Sequence, residues 1–326
     1  MDILNPKSLR KQANLSLRRG RDPKKLINTY AGISLAISVV LYLANLWLDD
    51  QISGTGGLGN IGTRAIFSTA QQVLPILSGM VVMCLEMGFL GGLMRISRGQ
   101  YADHTDLKVG FRKFWPLVRL SIIQTMLYIC ITILAFQLGS LIFTFTPWAG
   151  PVIEVVIPQF QANGGVMDDA MVMEALGYMV PMLVIVLITF LVNLVPFLHR
   201  MRMAQFCLLE DPSGRALAAI RESSRMMRRR LGQMIKIDLS LWLYYIATAV
   251  VVLVLWLDVI FAILEIPLPM NAELFAMMLY GVSLALQFAV HVFLRPTADM
   301  TYLTVYNALK EKPQDDGVVL GNIFDM

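Results

Sequence analysis

The stretch "MCLEMGFLGG", residues 83–92, places one carboxylate, Glu86, inside an otherwise apolar run that extends from Val73 to Met94. A run of about 20 mostly apolar residues is long enough, as a helix, to cross the ~30 Å hydrocarbon core of a bilayer. The whole chain supports that reading. Of its 326 residues 56% are hydrophobic and 15% charged, and the mean hydropathy is +0.63. Soluble domains carry about 25% charged residues, so this composition belongs to an integral membrane protein.

Six such runs are visible: about 30–48, 73–94, 117–143, 175–198, 237–260 and 272–293. The fold class expected is an all-α, polytopic membrane helix bundle with six transmembrane helices. Lys and Arg set its orientation. Eight precede the first run, six lie between Arg95 and Arg119, nine between Arg200 and Lys236, and three follow the last run, whereas Arg64 is the sole basic residue in the remaining connections. By the positive-inside rule, both termini and the second and fourth connections face the cytoplasm. The polar residues before the first run show no short apolar core or small-residue cleavage site, so that run is expected to stay in the mature protein.

The inner segments read as basic amphipathic helices at headgroup level. In "NPKSLRKQANLSLRR", residues 5–19, Asn5 suits a helix cap and Pro6 the first helical position; Leu9, Ala13 and Leu17 share one face, with Arg18 and Arg19 at the end. In residues 98–120 Thr105 is placed to cap a helix carrying Leu107, Phe111 and Phe114 on one face and Lys108, Arg112 and Lys113 on others. After the Asp211–Gly214 turn, Ala216, Ile220, Met227 and Leu231 form a stripe beside Arg221, Arg225, Arg228, Arg229 and Arg230. Such segments meet the lipid bilayer through anionic lipid headgroups, or dock a cytoplasmic protein partner as a permease docks its ATPase. The Gly expected after the alanines in importer permeases is here Ser223, so that motif fails. Leu107 and Leu217, and Arg119 and Arg229, share a spacing of 110 residues, the register an internal repeat would have.

At these segments the chain resembles a known family. "EMGFLGGLMRISRGQYADHTDLKVGFRKFWPLVRL" resembles a signature of bacterial multi-pass membrane proteins in domain-of-unknown-function family 975. The matching features are Gly91 at a Gly-rich span end, the Arg98-Gly99 step, and Asp106-Leu107 followed by Gly110-Phe111. "CLLEDPSGRALAAIRESSRMMRRR" resembles its second signature, through Asp211-Pro212, Ser223 or Ser224, and Met226 or Met227. "LRKQANLSL" is similar to its opening helix. The connections 49–71 and 146–174 are longer than the generic pattern and mark a subfamily. The resemblance implies a bacterial cytoplasmic-membrane location and names no activity.

Catalytic constellations are missing from the sequence. There is no Ser-His-Asp layout, HExxH or nucleotide loop; "GTGGLGNIG" at residues 54–62 lacks the Lys-Ser/Thr of a P-loop. The three Cys and three His are dispersed, so neither a metal site nor any other cofactor is expected. Nucleic acid is not expected either, because the basic residues flank membrane spans. The functional lead is a polar layer. Counted at 1.5 Å per residue from the basic residue at its inner end, Glu86 lies nine residues in. Ser34 and Tyr128 also lie nine in, Tyr244 and Tyr245 eight and nine, Gln287 eight and Asn193 seven. An ionised carboxylate facing lipid costs at least a few kcal/mol, so Glu86 is expected to face the bundle or to be kept neutral, or both. Two functions fit: a non-enzymatic scaffold or regulatory component, or a transporter or permease subunit whose intramembrane Glu86 handles a proton or cation. Topology reporters fused after Gln100 or Arg215 are expected to report the cytoplasmic side, and fusions within 49–71 the outer side; an outward-facing fusion at Arg229 would overturn the orientation.

Overall fold

Backbone amides in hydrocarbon must find partners within the protein, which leaves helices and closed barrels as spanning structures. The computed structural model takes the helical solution, with no strand among the described residues. It describes residues 5–19, 23–54, 61–152, 169–211, 213–228, 230–264 and 271–311, together with positions 154, 158, 161 and 266. Most of the loops at 54–62 and 151–170, Pro212, Arg229 and the final residues 312–326 lie outside them.

Among the described residues five helices are long and apolar enough to cross a membrane, and a sixth crossing exists if a bent pair counts as one. In chain order the helices used below are α1 (Pro6–Arg19), α2 (Pro23–Gly54), α3 (Ile61–Ser97), α4 (Lys108–Arg112), α5 (Phe114–Thr144), α6 (Asp169–Met201), α7 (Ala204–Glu210) and α8 (Ala216–Met227). They continue with α9 (Leu231–Ser240), α10 (Trp242–Leu255), α11 (Leu257–Ile263), α12 (Ala272–Ala289) and α13 (Arg295–Glu311). The outward residues of the long helices are apolar: Val40, Leu43 and Trp47 on α2, Ile129, Ile133 and Phe136 on α5, and Leu187, Ile188 and Val192 on α6 are all exposed. Contiguous apolar surface on this scale is what lipid covers.

The chain divides into two compact units. The larger comprises Met1–Val118, Gln205–Ala219 and Gly232–Met326. Its protein-buried residues gather at one end of its long helices: Leu26, Ile27, Tyr30, Ala31 and Ser34 of α2, Cys84–Leu90 and Gly92–Met94 of α3 except the half-buried Glu86, and Ala298, Thr301, Val305 and Leu309 of α13. The polar connections fold back onto this end. Asp103 caps the turn His104–Leu107, accepting from the His104 amide at 2.7 Å while its own amide donates to Asp106 at 2.9 Å. The cap is therefore Asp103 and not Thr105. The buried face is Asp106, Leu107 and Gly110, with Phe111 exposed, because the segment packs on α3 instead of floating its rings in lipid. That packing needs bare backbone. A Cβ on Gly110 would collide with the Cys84 carbonyl, one on Gly88 with the Leu107 backbone, and one on Gly92 with the Leu26 side chain.

Asn5 caps α1, accepting from the Lys7 amide at 3.1 Å, and Leu9 and Ala13 bury against α13. The α1 apolar face is thus turned to protein. The sixth span does not stop at Phe293. It continues through a π turn at Val290–Leu294 into α13, so the residues from Arg295 to Glu311 form a packed helix. The fifth span is not continuous either. Helices α9 and α10 meet at a 70° bend at Leu241. Helix α9 carries Lys236 and Asp238, and hydrogen bonds to Asp238 from Tyr302 (2.5 Å) and Tyr245 (3.3 Å) hold it off the α10 axis. The apolar crossing therefore begins near Trp242. The proposed repeat register pairs unlike environments, since Leu107 is buried and Leu217 exposed.

The smaller unit comprises Arg119–Ala204 and Ile220–Leu231. Gly139 of α5 lies against Val186 of α6, and the Tyr128 ring meets Phe190 edge-on at 6.4 Å. Ser223, fully buried, donates to the Arg200 carbonyl at 2.6 Å and accepts from the Met203 amide at 3.2 Å. It ties the frayed end of α6 to α8. Where backbone fills the space a side chain would need, overpacking costs about 1–3 kcal/mol. Gly88→Ala and Gly110→Ala should each lose at least that much in detergent-solubilised thermal or denaturant unfolding, whereas Gly79→Ala, which meets open space, should not lose stability.

Candidate functional site

Glu86 does find a partner, and the partner is Arg295. The guanidinium donates to Glu86 Oε1 at 2.9 Å, to Asp299 Oδ2 at 3.3 Å and to the Tyr30 hydroxyl at 2.5 Å. It also lies 3.4 Å from His291 Nε2 and 5.1 Å from the Tyr30 ring centroid. Tyr30 is fully buried and stacks on Phe89 at 4.5 Å. Three helices supply these groups: Tyr30 from α2, Glu86 and Phe89 from α3, and Arg295 and Asp299 from α13, with His291 in the π turn before it. Arg suits this role because its planar fork offers several donors at fixed angles. A π turn widens the helix by one residue per turn and often marks a functional position; here it immediately precedes Arg295.

Two further polar nodes sit on the same stripe of α13. Tyr302 and Tyr245 share a 2.5 Å hydrogen bond between hydroxyls and both reach Asp238. Farther on, Tyr306 donates to Glu210 at 2.7 Å and Lys310 donates to the same oxygen, while Arg98 pairs with the other Glu210 oxygen. Arg295, Asp299, Tyr302, Tyr306 and Lys310 follow a 4-3-4-4 spacing, which keeps them on one helix face. Beside them Ala298, Thr301, Val305 and Leu309 form the apolar stripe.

The expected polar layer is resolved into separate places. Tyr245 bonds to Tyr302, Glu86 bonds to Arg295, and Gln287 lies eight residues before Arg295 on the continuous 272–311 helix. Along that helix the three positions spread over 15 residues, about 22 Å at 1.5 Å per residue. They are not at one level of that helix. The count from inner basic residues misleads because Arg295 and Arg95 do not mark a common boundary: Arg295 touches Glu86, while Arg95 belongs to the same helix as Glu86 and pairs with the buried Asp106 at 2.5 Å. Ser34 is buried one turn from Tyr30, and Tyr244 and Gln287 are half-buried. In the smaller unit Tyr128 and Asn193 are exposed, with the Asn193 amide bonded to the Thr189 carbonyl at 2.7 Å.

Among the basic candidates, Arg18, Arg19, Lys108, Arg112, Arg221, Arg225 and Arg228 are exposed, and Arg230 is half-buried. Arg225 pairs with Glu222 at 2.9 Å, and Arg229 lies outside the described residues. Lys113 departs from the expectation. Its ammonium donates to the carbonyls of Leu208, Leu209 and Asp211 at 2.8, 2.8 and 3.0 Å, which satisfies the open end of α7. Burial pushes the Lys113 pKa below the ordinary lysine value, partly offset by the Asp211 charge. The Asp211 carboxyl is itself held low by bonds from the Ser213 hydroxyl and amide.

Reading by sequence missed Arg295, Tyr30, Asp299, Asp238 and Tyr302. The available signal was the periodic Arg-Asp-Tyr-Tyr-Lys stripe beyond the sixth apolar run, which marks an amphipathic helix with a protein-facing side. No group of His, Cys, Asp and Glu able to hold a metal occurs among the described residues. No family model, curated protein or solved structure matches the chain. Removing one partner from an ion pair strands the other in a poorly solvated position. Arg295→Met should therefore cost roughly 3–5 kcal/mol, measured by unfolding in detergent, and Glu86→Gln combined with it should recover part of the loss.

Proposed function

We propose that this chain is a non-enzymatic scaffold or regulatory component of the bacterial cytoplasmic membrane, with its polar helical end on the cytoplasmic side. The observation that carries this reading is the closure of the Arg295 cluster on itself. Its guanidinium is shared among Glu86, Asp299 and Tyr30, so charge in the bundle is spent joining the first, second and last long helices of the larger unit. A group engaged in that way serves rigidity better than exchange with a travelling ion. The nodes at Tyr302 and Tyr306 repeat the pattern on the same helix. The exposed basic residues of α1, α4 and α8 remain for headgroups or a cytoplasmic protein partner. The resemblance to domain-of-unknown-function family 975 agrees with this location.

The alternative, a transporter or permease subunit with Glu86 as its proton- or cation-handling group, draws on one number: 32% of the Glu86 side chain stays uncovered by protein, against 16% for Arg295. Reconstitution separates the two. The scaffold reading expects Glu86→Gln to lower the unfolding midpoint and to leave proton and monovalent-cation fluxes into proteoliposomes at the level of the unsubstituted protein. A flux well above that of empty vesicles, abolished by Glu86→Gln in protein that still folds, would overturn it in favour of transport.

A further inference from the structure

A groove of about 450 Å³ lies between α1 and the end of α9, lined by Lys7, Arg10, Lys11, Asn14, Arg18 and Ser240. We propose that it is a binding site for a phosphate-bearing anion, namely the headgroup of an anionic phospholipid. Helix geometry assembles the cations. Lys7, Lys11, Asn14 and Arg18 recur at spacings of four, three and four, so they stack on one stripe, opposite the Leu9–Ala13 face that is buried against α13. Docking of the apolar face on protein fixes which way the basic stripe points.

Arg10 also lines the groove. One of its terminal nitrogens donates to the Ser240 carbonyl at 2.6 Å, which anchors the guanidinium and leaves its other donors for a ligand. No acidic residue occurs in α1, and no ion pair to Lys7, Arg10, Lys11 or Arg18 is found among the described residues. The nearest carboxylate along α9, Asp238, accepts from Tyr245 and Tyr302. Four cations with no ion-pair partner among the described residues, and an amide beside them, form a strong field for a multiply bonding anion. The volume falls within the ~300–1,000 Å³ typical of small-ligand sites.

The surroundings favour a lipid over a free ion. Ser240 sits at the bend where the chain turns into the apolar α10. Leu239, Trp242 and Leu243 flank it, all more than half exposed. Trp is favoured at the membrane–water interface. The groove thus lies where headgroup phosphates lie, with exposed apolar side chains next to it for acyl chains. This inference does not depend on the scaffold reading, because it needs only membrane insertion and the α1–α9 contact.

The test uses the full chain in neutral detergent, with binding followed by native mass spectrometry and thermal shift. Phosphatidylglycerol should bind and raise the melting temperature, while phosphatidylcholine does neither. Near a membrane surface each Lys or Arg strengthens attraction of an anionic headgroup about fivefold. Lys7→Gln, Lys11→Gln and Arg18→Gln together should therefore weaken phosphatidylglycerol binding about 100-fold. Arg64→Gln should leave it within about twofold, since Arg64 is an exposed cation of α3 outside the basic segments. Asn14→Lys, adding a cation to the stripe, should tighten binding and guards against loss of folding in the triple variant. Equal binding of phosphatidylcholine, unchanged binding in the triple variant, or equal weakening by Arg64→Gln would overturn the site. Saturation by inorganic phosphate alone, blocking phosphatidylglycerol without competition from added lipid, would overturn its assignment to a lipid.

Discussion

An arginine in a poorly solvated part of a protein cannot give up its proton, so its charge must be met by fixed partners. Arg295 imposes that requirement on the larger unit. Glu86 and Asp299 meet the charge, Tyr30 accepts a donor, and the Tyr30–Phe89 stack seals the node from one side. Because those partners belong to α2, α3 and α13, satisfying one guanidinium also fixes how three helices lie. In lipid there is little hydrophobic drive between helices, so specific polar contacts and close backbone packing take over that task. Gly88, Gly92 and Gly110 supply the close packing within a few residues of the node.

Helix α13 distributes this device along its length. Its polar stripe engages α3 through Arg295, the bend between α9 and α10 through Tyr302, and α7 through Tyr306 and Lys310. Each contact recruits a connection that would otherwise be a free loop. The 70° bend is one result: Asp238 is more favourably placed under two tyrosine hydroxyls than along the apolar axis of α10. Lys113 works similarly from α4, meeting three carbonyls at the end of α7. The polar end of the unit is thus held by charge-assisted bonds to backbone and side chain.

Much of the architecture was legible in the sequence. Runs such as Val73–Met94 admit no other economical reading, because their backbone can be satisfied in hydrocarbon only as helix. The Asn5 cap with Pro6 at the first position was equally legible, since both effects are local. The presence of a partner for Glu86 followed from the cost of an unpaired carboxylate, but not its identity. Arg295 lies 209 positions away in sequence, and periodicity along one helix carries no information about which distant residue faces it. The counting behind the polar layer met a related limit. It took every basic residue at a span end as one reference level, whereas Arg295 touches Glu86 and Arg95 lies nine residues farther along α3.

By itself, then, the amino-acid order determined the helical class, the approximate crossings and the amphipathic character of the segments between them. These follow from hydrophobicity and spacing within single helices, which are short-range properties. Tertiary structure alone decided what each amphipathic face meets. Leu9 and Ala13 could have entered lipid and instead cover α13, and Lys113 could have reached a headgroup and instead bonds three carbonyls. A face that avoids water is equally content with lipid or with protein. The choice between them rests on shape and partner geometry, and those exist only once the helices are assembled.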